Sequence, residues 1–166
     1  MPLSFLPAII TEKLTAITPE LLRKRSIRLL MLDFDNTIVP YTTTVPTPEM
    51  EKWLSDMNQL SDIQLCIVSN SRNDRVPKFC RERNISVITH AKKPFPKGIN
   101  QCLQKYRIPA AEAALVGDQI YTDTLGANLA DVTPILVKAI DNHNFWLKAR
   151  HVLEMPFIFA ARKRRI

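Results

Sequence analysis

The stretch Leu29-Leu30-Met31-Leu32-Asp33-Phe34-Asp35-Asn36-Thr37 decides the fold of this chain. Its first four residues are apolar and predict a buried strand, and Asp33 is the first charged residue where that strand ends. In α/β proteins, ligands bind in the crevice at the carboxyl ends of parallel strands. Two acids at that edge, Asp33 and Asp35, therefore predict a site that performs chemistry.

The composition is that of a globular domain with a basic surface. The chain has 166 residues, 46% of them hydrophobic, and its 23 Lys and Arg outnumber 16 Asp and Glu, which gives a formal net charge of +7. This charge favours anionic partners such as phosphate esters, nucleic acid or acidic lipid, although it also serves solubility alone. The three cysteines form no CxxC pair, which indicates neither a disulfide framework nor a zinc site and fits a reducing cytosol.

Strand-like and helix-like segments alternate along the chain. The predicted strands cover residues 29–32, 63–69, 86–89, 113–116 and 134–137, and the predicted helices cover about 47–60, 73–83, 96–107, 122–130 and 142–155. This alternation predicts an α/β fold of three layers, in which helices cover both faces of a central parallel sheet of about five strands. Thr47 with Pro48 is typical of a helix start, and Thr18 with Pro19 repeats that pattern.

The segment before the first strand carries apolar residues at helical spacing, which predicts a helix packed on the domain, with membrane contact as the alternative. These residues are Ile10, Leu14, Ile17 and Leu21. We expect one domain over residues 1–166, with a helical lead-in at 1–27, a core at 28–140 and a C-terminal helix with a basic tail at 141–166. The N-terminus lacks a signal-peptide pattern, and no segment has the roughly eighteen apolar residues that cross a bilayer. We therefore expect a protein that is soluble or lies against a surface.

Polar residues follow each of the next three predicted strands. They are Ser69-Asn70-Ser71 after the second strand, Lys92, Lys93 and Lys97 after the third, and Gly117-Asp118 with Asp123 at the end of the fourth. Each group alone has an ordinary structural explanation, as turn acids, helix caps, solvated lysines or acids that complement a helix dipole. Their occurrence together at strand ends predicts one shared site.

Phosphoryl transfer requires these residue types. It needs a nucleophile in line with the leaving oxygen, cations that neutralise the equatorial oxygens, and a proton for the leaving group. Asp33 can be the nucleophile and form an aspartyl-phosphate, which divides one difficult step into two easier ones. Asp35 lies two residues further along extended backbone and faces the same pocket, so it can protonate the leaving group and later activate water.

The acids around a phosphate would repel it unless a divalent cation lay among them. Hard oxygen ligands and phosphate select Mg²⁺, for which Asp33 and Asp118 are the predicted side-chain ligands. Hydroxyl groups can bind the phosphate oxygens by hydrogen bonding, and an ammonium can bind them as a point charge. The candidate phosphate-binding residues are Thr37, Ser69, Asn70 and Lys93.

From about Leu29 to Val137, these groups resemble the ordered motifs of the haloacid dehalogenase (HAD) superfamily of phosphohydrolases. Asp33-Phe34-Asp35-Asn36-Thr37 is similar to its DxDxT signature, and Ser69, Lys93 and Gly117-Asp118 with Asp123 match its second, third and fourth motifs. The resemblance implies a HAD-like Rossmannoid fold. It also implies Asp33 as nucleophile, Asp35 as general acid and base that gives its backbone carbonyl to Mg²⁺, Asp118 as metal ligand and Asp123 as a further acid of the metal site.

A narrower resemblance covers most of the chain. Lys93-Pro94-x-Pro96-Lys97-Gly98, followed by Val116-Gly117-Asp118-Gln119-x-x-Thr122-Asp123-x-x-Gly126-x-Asn128, is similar to the YqeG family of class IIIA HAD phosphatases. Relatives in mitochondria and plastids dephosphorylate phosphatidylglycerophosphate, so the resemblance implies a phosphorylated substrate, with a phospholipid as one candidate. Lys92 and Lys97 are alternatives to Lys93 as the third-motif lysine, and Lys93 directly before Pro94 fits best.

The spacing of the motifs leaves no room for a cap domain. Only about ten residues separate Thr37 from the helix start at Thr47, and the chain between Ser71 and Lys93 suffices for one helix and one strand. An uncapped phosphatase has an open mouth, which suits a bulky substrate such as a lipid head group, a nucleic acid end or a protein. Residues 40–46 could line this mouth or simply link two elements.

The C-terminal residues 157–166 join an apolar patch to the basic run Arg162-Lys163-Arg164-Arg165. This tail could contact an anionic membrane, remain solvated or bind RNA. We expect a cytoplasmic protein, with peripheral contact on the inner face of the membrane as an extension of that expectation. The alternatives to a phospholipid phosphatase are a phosphatase of nucleic acid or protein, an RNA-associated protein with the same fold, and a scaffold without turnover. Nucleic acid is less favoured because no basic, aromatic-rich strand pattern is present.

Overall fold

Six parallel strands form one sheet in this computed structural model, which describes residues 4–141 and 145–163, with side chains of the last helix described at 152–161. The strands are β1 (Ile9–Thr11), β2 (Leu29–Leu32), β3 (Gln64–Val68), β4 (Ser86–Ile88), β5 (Ala113–Gly117) and β6 (Thr133–Val137). Their order across the sheet is β1-β6-β5-β2-β3-β4. Because β2 lies between β5 and β3, three neighbouring strands end side by side at one edge.

Helices connect these strands. They are α1 (Pro19–Lys24), α2 (Pro48–Asn58), α3 (Arg75–Glu82), α4 (Lys97–Tyr106), α5 (Leu125–Leu129) and α6 (Phe145–Lys163), with 3-10 turns at Leu14–Ala16 and Ala110–Glu112 and a π-helical turn at Ile120–Thr124. The two predicted helix starts are confirmed. The hydroxyl of Thr47 accepts a hydrogen bond from the amide of Met50, and the hydroxyl of Thr18 accepts one from the amide of Leu21.

The sheet has an apolar core on each face. All four residues of β2 are completely buried. Leu30 and Leu32 lie in one core cluster, and Leu29 and Met31 lie in the other, because successive side chains of a strand point to opposite faces. The first cluster includes residues of α2 and α3, and the second includes residues of α4 and α5. The predicted three-layer α/β fold is confirmed.

The sheet has six strands and not the predicted five, because residues 9–11 form an additional edge strand. Ile9 is paired in parallel register with Ile135 of β6. The helix predicted from the spacing of Ile10, Leu14, Ile17 and Leu21 is therefore wrong over its first part, where a strand and a 3-10 turn precede α1. A three-residue strand is too short to show the alternation that identifies a strand in a sequence.

The last helix is longer than predicted. α6 runs to Lys163, whereas the predicted helix ends at Met155. The helix continues through Pro156, although proline lacks the N–H that a helix interior uses. The predicted helix residues 142–144 lie outside the described residues, as do residues 164–166 of the basic tail. Within the described chain, no helix has the length and apolar character needed to span a membrane.

Candidate active site

Three neighbouring strands end in residues that the sequence predicted for the site. Asp33 follows β2, Ser69 follows β3 and Asp118 follows β5. Only 6, 2 and 5% of their surfaces are exposed, respectively. The backbone pairing continues past β2, since the amide of Asp33 donates to the carbonyl oxygen of Val116 at 2.8 Å. The sheet register thus places the start of the pentapeptide next to the end of β5.

A buried cluster of three carboxylates lies at this edge. Asp33, Asp118 and Asp123 each contribute an oxygen atom, and these atoms all lie within 4.8 Å of one another. Asp123 belongs to the π-helical turn after β5, where the amide of Gln119 donates to its Oδ2 at 3.2 Å. The three acids are separated by up to ninety positions of sequence but share one small volume.

Lys93 is the lysine that lies in the cluster. Its Nζ donates to Oδ1 of Asp33 at 2.7 Å and to Oδ1 of Asp123 at 2.6 Å, and only 1% of its side chain is exposed. The two alternative lysines, Lys92 and Lys97, are exposed. The geometry therefore selects Lys93 from the three lysines considered.

Taken by themselves, the four charged groups described in this cluster do not balance. Three carboxylates and one ammonium carry a formal charge of −2 when all four groups are ionised. Burial raises the pKa of the Asp123 carboxyl. Burial alone would lower the pKa of the Lys93 ammonium, but the carboxylates of Asp123 and Asp33 outweigh it, so that the pKa is raised. The pKa of Asp123 therefore rises mainly through burial, whereas the pKa of Lys93 rises because two carboxylates lie against its ammonium.

This donor set fits a divalent cation. Carboxylate oxygens are the ligands that hard cations such as Mg²⁺ prefer, and a charge of +2 would cancel the surplus of the cluster. A buried ion is tolerated only where opposite charge compensates its loss of hydration. Asp33, Asp118 and Asp123 are therefore the side chains that could hold a metal ion.

The side chain of Asn70 forms two hydrogen bonds with the backbone of Lys93. Its Nδ2 donates to the carbonyl oxygen of Lys93 at 2.9 Å, and its Oδ1 accepts from the amide of Lys93 at 2.8 Å. Both polar atoms of the amide thus hold the backbone of the loop that carries Lys93. The sequence placed Asn70 among the phosphate-binding candidates, and this contact indicates a second role in positioning Lys93.

Two buried hydroxyl groups lie on the segments that follow β2 and β3. Ser69 Oγ accepts from the amide of Ser71 at 3.1 Å, and this bond leaves its O–H proton available for donation. Thr37 is 1% exposed, and within the described residues its Oγ1 has no hydrogen-bond partner. An unpaired buried hydroxyl is costly, and an incoming ligand oxygen would satisfy it.

Asp35 has a different environment from the buried cluster. Its side chain is 20% exposed, and Oδ1 accepts a hydrogen bond from Nη2 of Arg75 at the start of α3. Arg75 was missed in the sequence analysis. No local pattern could have indicated it, because the two partners are 40 residues apart.

Asn36 is a second residue whose role the sequence did not show. Its φ of 63° lies in the left-handed region, which asparagine tolerates better than most residues. Its Nδ2 donates to the carbonyl oxygen of Asp141 at 2.6 Å, and its Oδ1 accepts from the amide of Asp141 at 2.9 Å. Asn36 therefore joins the turn between Asp33 and Thr37 to the chain after β6.

The three glycines of the chain all lie against segments that carry site residues. A Cβ on Gly117 would overlap the carboxylate of Asp123, and one on Gly98 would lie 2.6 Å from the Cα of Ala91. A Cβ on Gly126 would meet the carbonyl oxygen of Pro94 at 3.3 Å, which is tight but closer to ordinary contact. These three positions need a small residue because each packs closely against the loop that carries Lys93 or the turn that carries Asp123.

We expect Gly117→Ala to lower kcat/KM by about 100-fold, since a displacement near 1 Å of a catalytic group costs about that much. The added methyl group must push Asp123 out of the cluster. Gly126→Ala is the matched control and should stay within about threefold of wild type, because its contact is milder and alanine is favoured in a helix. Equal activity of both variants in a phosphatase assay would show that the position of Asp123 is unimportant.

Known structures share this fold. A HAD-superfamily hydrolase from Geobacter sulfurreducens has a TM-score of 0.53 and 15% identity, and the match covers 70% of this chain and 89% of that one. A HAD-superfamily hydrolase from Ehrlichia chaffeensis has a TM-score of 0.53 and 17% identity, with 76% and 96% coverage. Together with the parallel sheet and the acids at its edge, these likenesses identify the fold as that of the HAD-superfamily hydrolases.

Sequence comparisons narrow the class to phosphatases. The family model described as Mitochondrial PGP phosphatase matches residues 1–139. The chain is also 33% identical over 133 residues to the Probable phosphatase YqeG of Bacillus subtilis (strain 168), which covers 80% of this chain and 77% of that protein. The chain belongs to this family of HAD-type phosphatases, as the resemblance predicted, and its substrates are phosphorylated compounds.

Proposed function

We propose that this protein is a Mg²⁺-dependent phosphomonoesterase that hydrolyses phosphatidylglycerophosphate through an aspartyl-phosphate on Asp33. The observation that carries the proposal is the position of Lys93 Nζ between Asp33 and Asp123, in a buried cluster that retains a surplus of negative charge. Such a cluster can receive a phosphate group only together with positive charge. The substrate is supported by the description of the matching family model.

The first half of the reaction transfers the phosphoryl group to the protein. A carboxylate oxygen of Asp33 attacks phosphorus while the ester P–O bond breaks and its electron pair stays on the leaving oxygen. Asp35 donates a proton to that oxygen, which departs as an alcohol. Asp35 is suited to this role because it lies outside the buried cluster and its side chain is 20% exposed.

The second half of the reaction regenerates the protein. Asp35, now ionised, takes a proton from a water molecule whose oxygen attacks phosphorus, and the P–O bond to Asp33 breaks to release inorganic phosphate. Lys93 and the hydroxyl groups of Ser69 and Thr37 would bind the phosphoryl oxygens throughout. Asn70 would act on the same oxygens only indirectly, through the loop that it holds.

The metal ion would be held by Asp118, Asp33 and Asp123, with the backbone carbonyl of Asp35 as a further ligand. Bound Mg²⁺ supplies positive charge that stabilises the phosphoryl oxygens as charge develops on them. The side chains present are more than sufficient in number for Mg²⁺, which typically keeps several water ligands and is bound through one or two carboxylates.

The open mouth of the site is consistent with a bulky substrate. The chain reaches α2 only a short distance after the pentapeptide, so no cap domain is inserted there. A shallow cavity near the mouth is lined by residues 41–44 and Arg75. A phospholipid head group entering from a membrane could be covered by the lipid itself, which fits a site without a lid.

A substrate panel tests the proposed function. Purified protein would be assayed with phosphatidylglycerophosphate, p-nitrophenyl phosphate, a 5′-phosphorylated RNA and a phosphopeptide, each with Mg²⁺ and with EDTA. We expect turnover that EDTA abolishes, and a kcat/KM for the phospholipid at least about 100-fold above those for RNA and peptide. Preference for RNA or peptide would replace the substrate assignment, and inactivity on every compound would contradict the phosphatase mechanism.

A phospholipid substrate requires the protein to reach a membrane, and we propose that it makes peripheral contact with an anionic membrane surface. α6 exposes large apolar side chains, namely Val152, Leu153 and Phe159, of which 68, 64 and 62% are exposed. Glu154 on the opposite side of the helix accepts a hydrogen bond from the amide of Ile120, which attaches α6 to the turn that carries Asp123. An apolar helix face beside the site, on a chain of net charge +7, is suited to an acidic lipid surface.

Vesicle flotation tests this contact. We expect the protein to float with vesicles that contain phosphatidylglycerol and to float less with purely phosphatidylcholine vesicles. Phe159→Ser should reduce the floated fraction by about half or more, since it removes an exposed apolar side chain that would insert into the membrane interface. Leu129→Ser, at a position that is 41% exposed at the end of α5, is the control. If the same fraction of protein floated with the neutral phosphatidylcholine vesicles, the basic charge of the protein would have no role in membrane contact.

A further inference from the structure

Arg75 connects three segments at the mouth of the site. Its Nη2 donates to Oδ1 of Asp35, while its Nη1 donates to the carbonyl oxygens of Tyr41 at 3.2 Å and Thr43 at 3.3 Å. The guanidinium carbon lies 5.1 Å from the ring centroid of Phe34. One side chain from α3 is thus bound to the pentapeptide and to the loop that lines the mouth.

The guanidinium is well suited to fix a carboxyl group in one orientation. It is planar and presents donors in a rigid fork, unlike the flexible ammonium of lysine. The side chains of Arg75 and Asp35 are 21 and 20% exposed, so their contact is largely shielded from water, and Oδ1 can accept this hydrogen bond whether the carboxyl group is ionised or protonated. The contact engages Oδ1 of Asp35 and leaves Oδ2 as the oxygen that can carry a proton to a substrate.

We propose that Arg75 is a positioning residue for Asp35 in the transfer of the proton to the leaving group. It holds the carboxyl group against rotation and fixes the mouth loop at the same place, so that the proton donor and the wall on the leaving-group side form one rigid unit. This inference rests on the proposed function, in which Asp35 is the general acid. It assigns no direct contact between Arg75 and the phosphoryl group.

A positioning role has a consequence that a merely structural role lacks. Departure of an alkoxide needs a proton, whereas p-nitrophenolate is a weak base and departs without one. General acid catalysis contributes about 10² to 10⁴-fold where it is needed. Loss of Arg75 should therefore slow the hydrolysis of an alkyl phosphate far more than that of p-nitrophenyl phosphate.

The test compares kcat/KM for phosphatidylglycerophosphate and for p-nitrophenyl phosphate, because kcat/KM reports the step in which the leaving group departs. We expect Arg75→Met to lose about 100-fold on the phospholipid and less than about fivefold on the aryl ester. Asp35→Asn should show the same selective loss. The double variant should be little worse than Asp35→Asn alone, since the two residues act through one proton transfer. Arg75→Lys, which keeps the charge without the fork, should recover only part of the lost activity.

Arg83 supplies a matched control at the other end of α3. It is also 21% exposed, pairs with Glu51, and has its guanidinium carbon 3.9 Å from the ring centroid of Phe79. Arg83→Met should lower the thermal unfolding temperature but change both kcat/KM values by the same factor. If Arg75→Met also lowers both values equally, or raises the value for the phospholipid, the positioning role is wrong. If the wild type is inactive on both esters, the proposed function fails and this inference fails with it.

Discussion

Asp33→Asn is expected to abolish phosphatase activity, with a loss in kcat of at least about 10⁴-fold, as for other covalent nucleophiles. The amide has nearly the shape of the carboxylate but cannot attack phosphorus, and it also removes one charged partner of Lys93. The backbone of Asp33 is held by the sheet, so the variant should fold. The measurement is turnover of p-nitrophenyl phosphate with saturating Mg²⁺, together with thermal unfolding.

Asp56→Asn is the control for this prediction. Asp56 lies on α2 and pairs with Lys52 in solvent, outside the buried cluster. Its replacement removes the same charge and should leave kcat within about twofold, because exposed ion pairs contribute little. An Asp33→Asn variant that retained a tenth of the wild-type activity would exclude Asp33 as the nucleophile.

Lys93→Met is expected to have the largest effect on stability. Removing one partner from a buried ion pair leaves uncompensated charge, which typically costs about 3 to 5 kcal/mol in the free energy of unfolding. Asp33 and Asp123 would both lose their counter-charge here. The activity should also fall by about 10² to 10³-fold, since a cation at the phosphoryl oxygens is lost.

The measurement for Lys93→Met is urea unfolding of the metal-free protein and of the protein with Mg²⁺. We expect Mg²⁺ to stabilise the variant more than the wild type, because the cation then replaces the missing ammonium among the carboxylates. Lys92→Met, at the exposed neighbouring position, should change the free energy of unfolding by less than about 0.5 kcal/mol. Similar effects of the two substitutions would contradict a buried cluster of surplus negative charge.

Much of the site could be predicted because a parallel sheet brings its strand ends together. Asp33, Ser69 and Asp118 each follow a short apolar run, and such runs predict buried strands. Parallel pairing then requires that these residues share an edge, whatever the lengths of the helices between them. Asp33 and Asp118 could therefore be predicted to lie close together without any knowledge of the loops.

The exclusion of Lys92 and Lys97 did need that knowledge. The sequence favoured Lys93, directly before Pro94, but it left Lys92 and Lys97 in the same loop and helix start as alternatives. Two backbone features determine which lysine side chain points into the site. One is the turn at Lys92, with a φ of 59°, and the other is the hydrogen bond from the amide of Lys93 to Asn70. These are contacts across 23 residues of sequence, which no local periodicity encodes.

The features that were missed depend on still longer contacts. Arg75 meets Asp35 across 40 residues, and Asn36 meets Asp141 across 105. β1 was missed for another reason, since three residues that pair only with β6 leave no pattern of alternation. Long-range side-chain contacts and very short edge strands are the parts of this molecule that sequence patterns did not indicate.

Chemical trapping of the phosphorylated protein tests the central claim most directly. Protein turning over substrate with Mg²⁺ would be quenched with borohydride, which reduces an acyl phosphate to an alcohol, and the modified residue would be located by peptide mass spectrometry. The account predicts reduction at position 33 alone, dependent on both substrate and Mg²⁺. Reduction at Asp35 or Asp118, or a protein that turns over substrate without any reducible acyl phosphate, would contradict it.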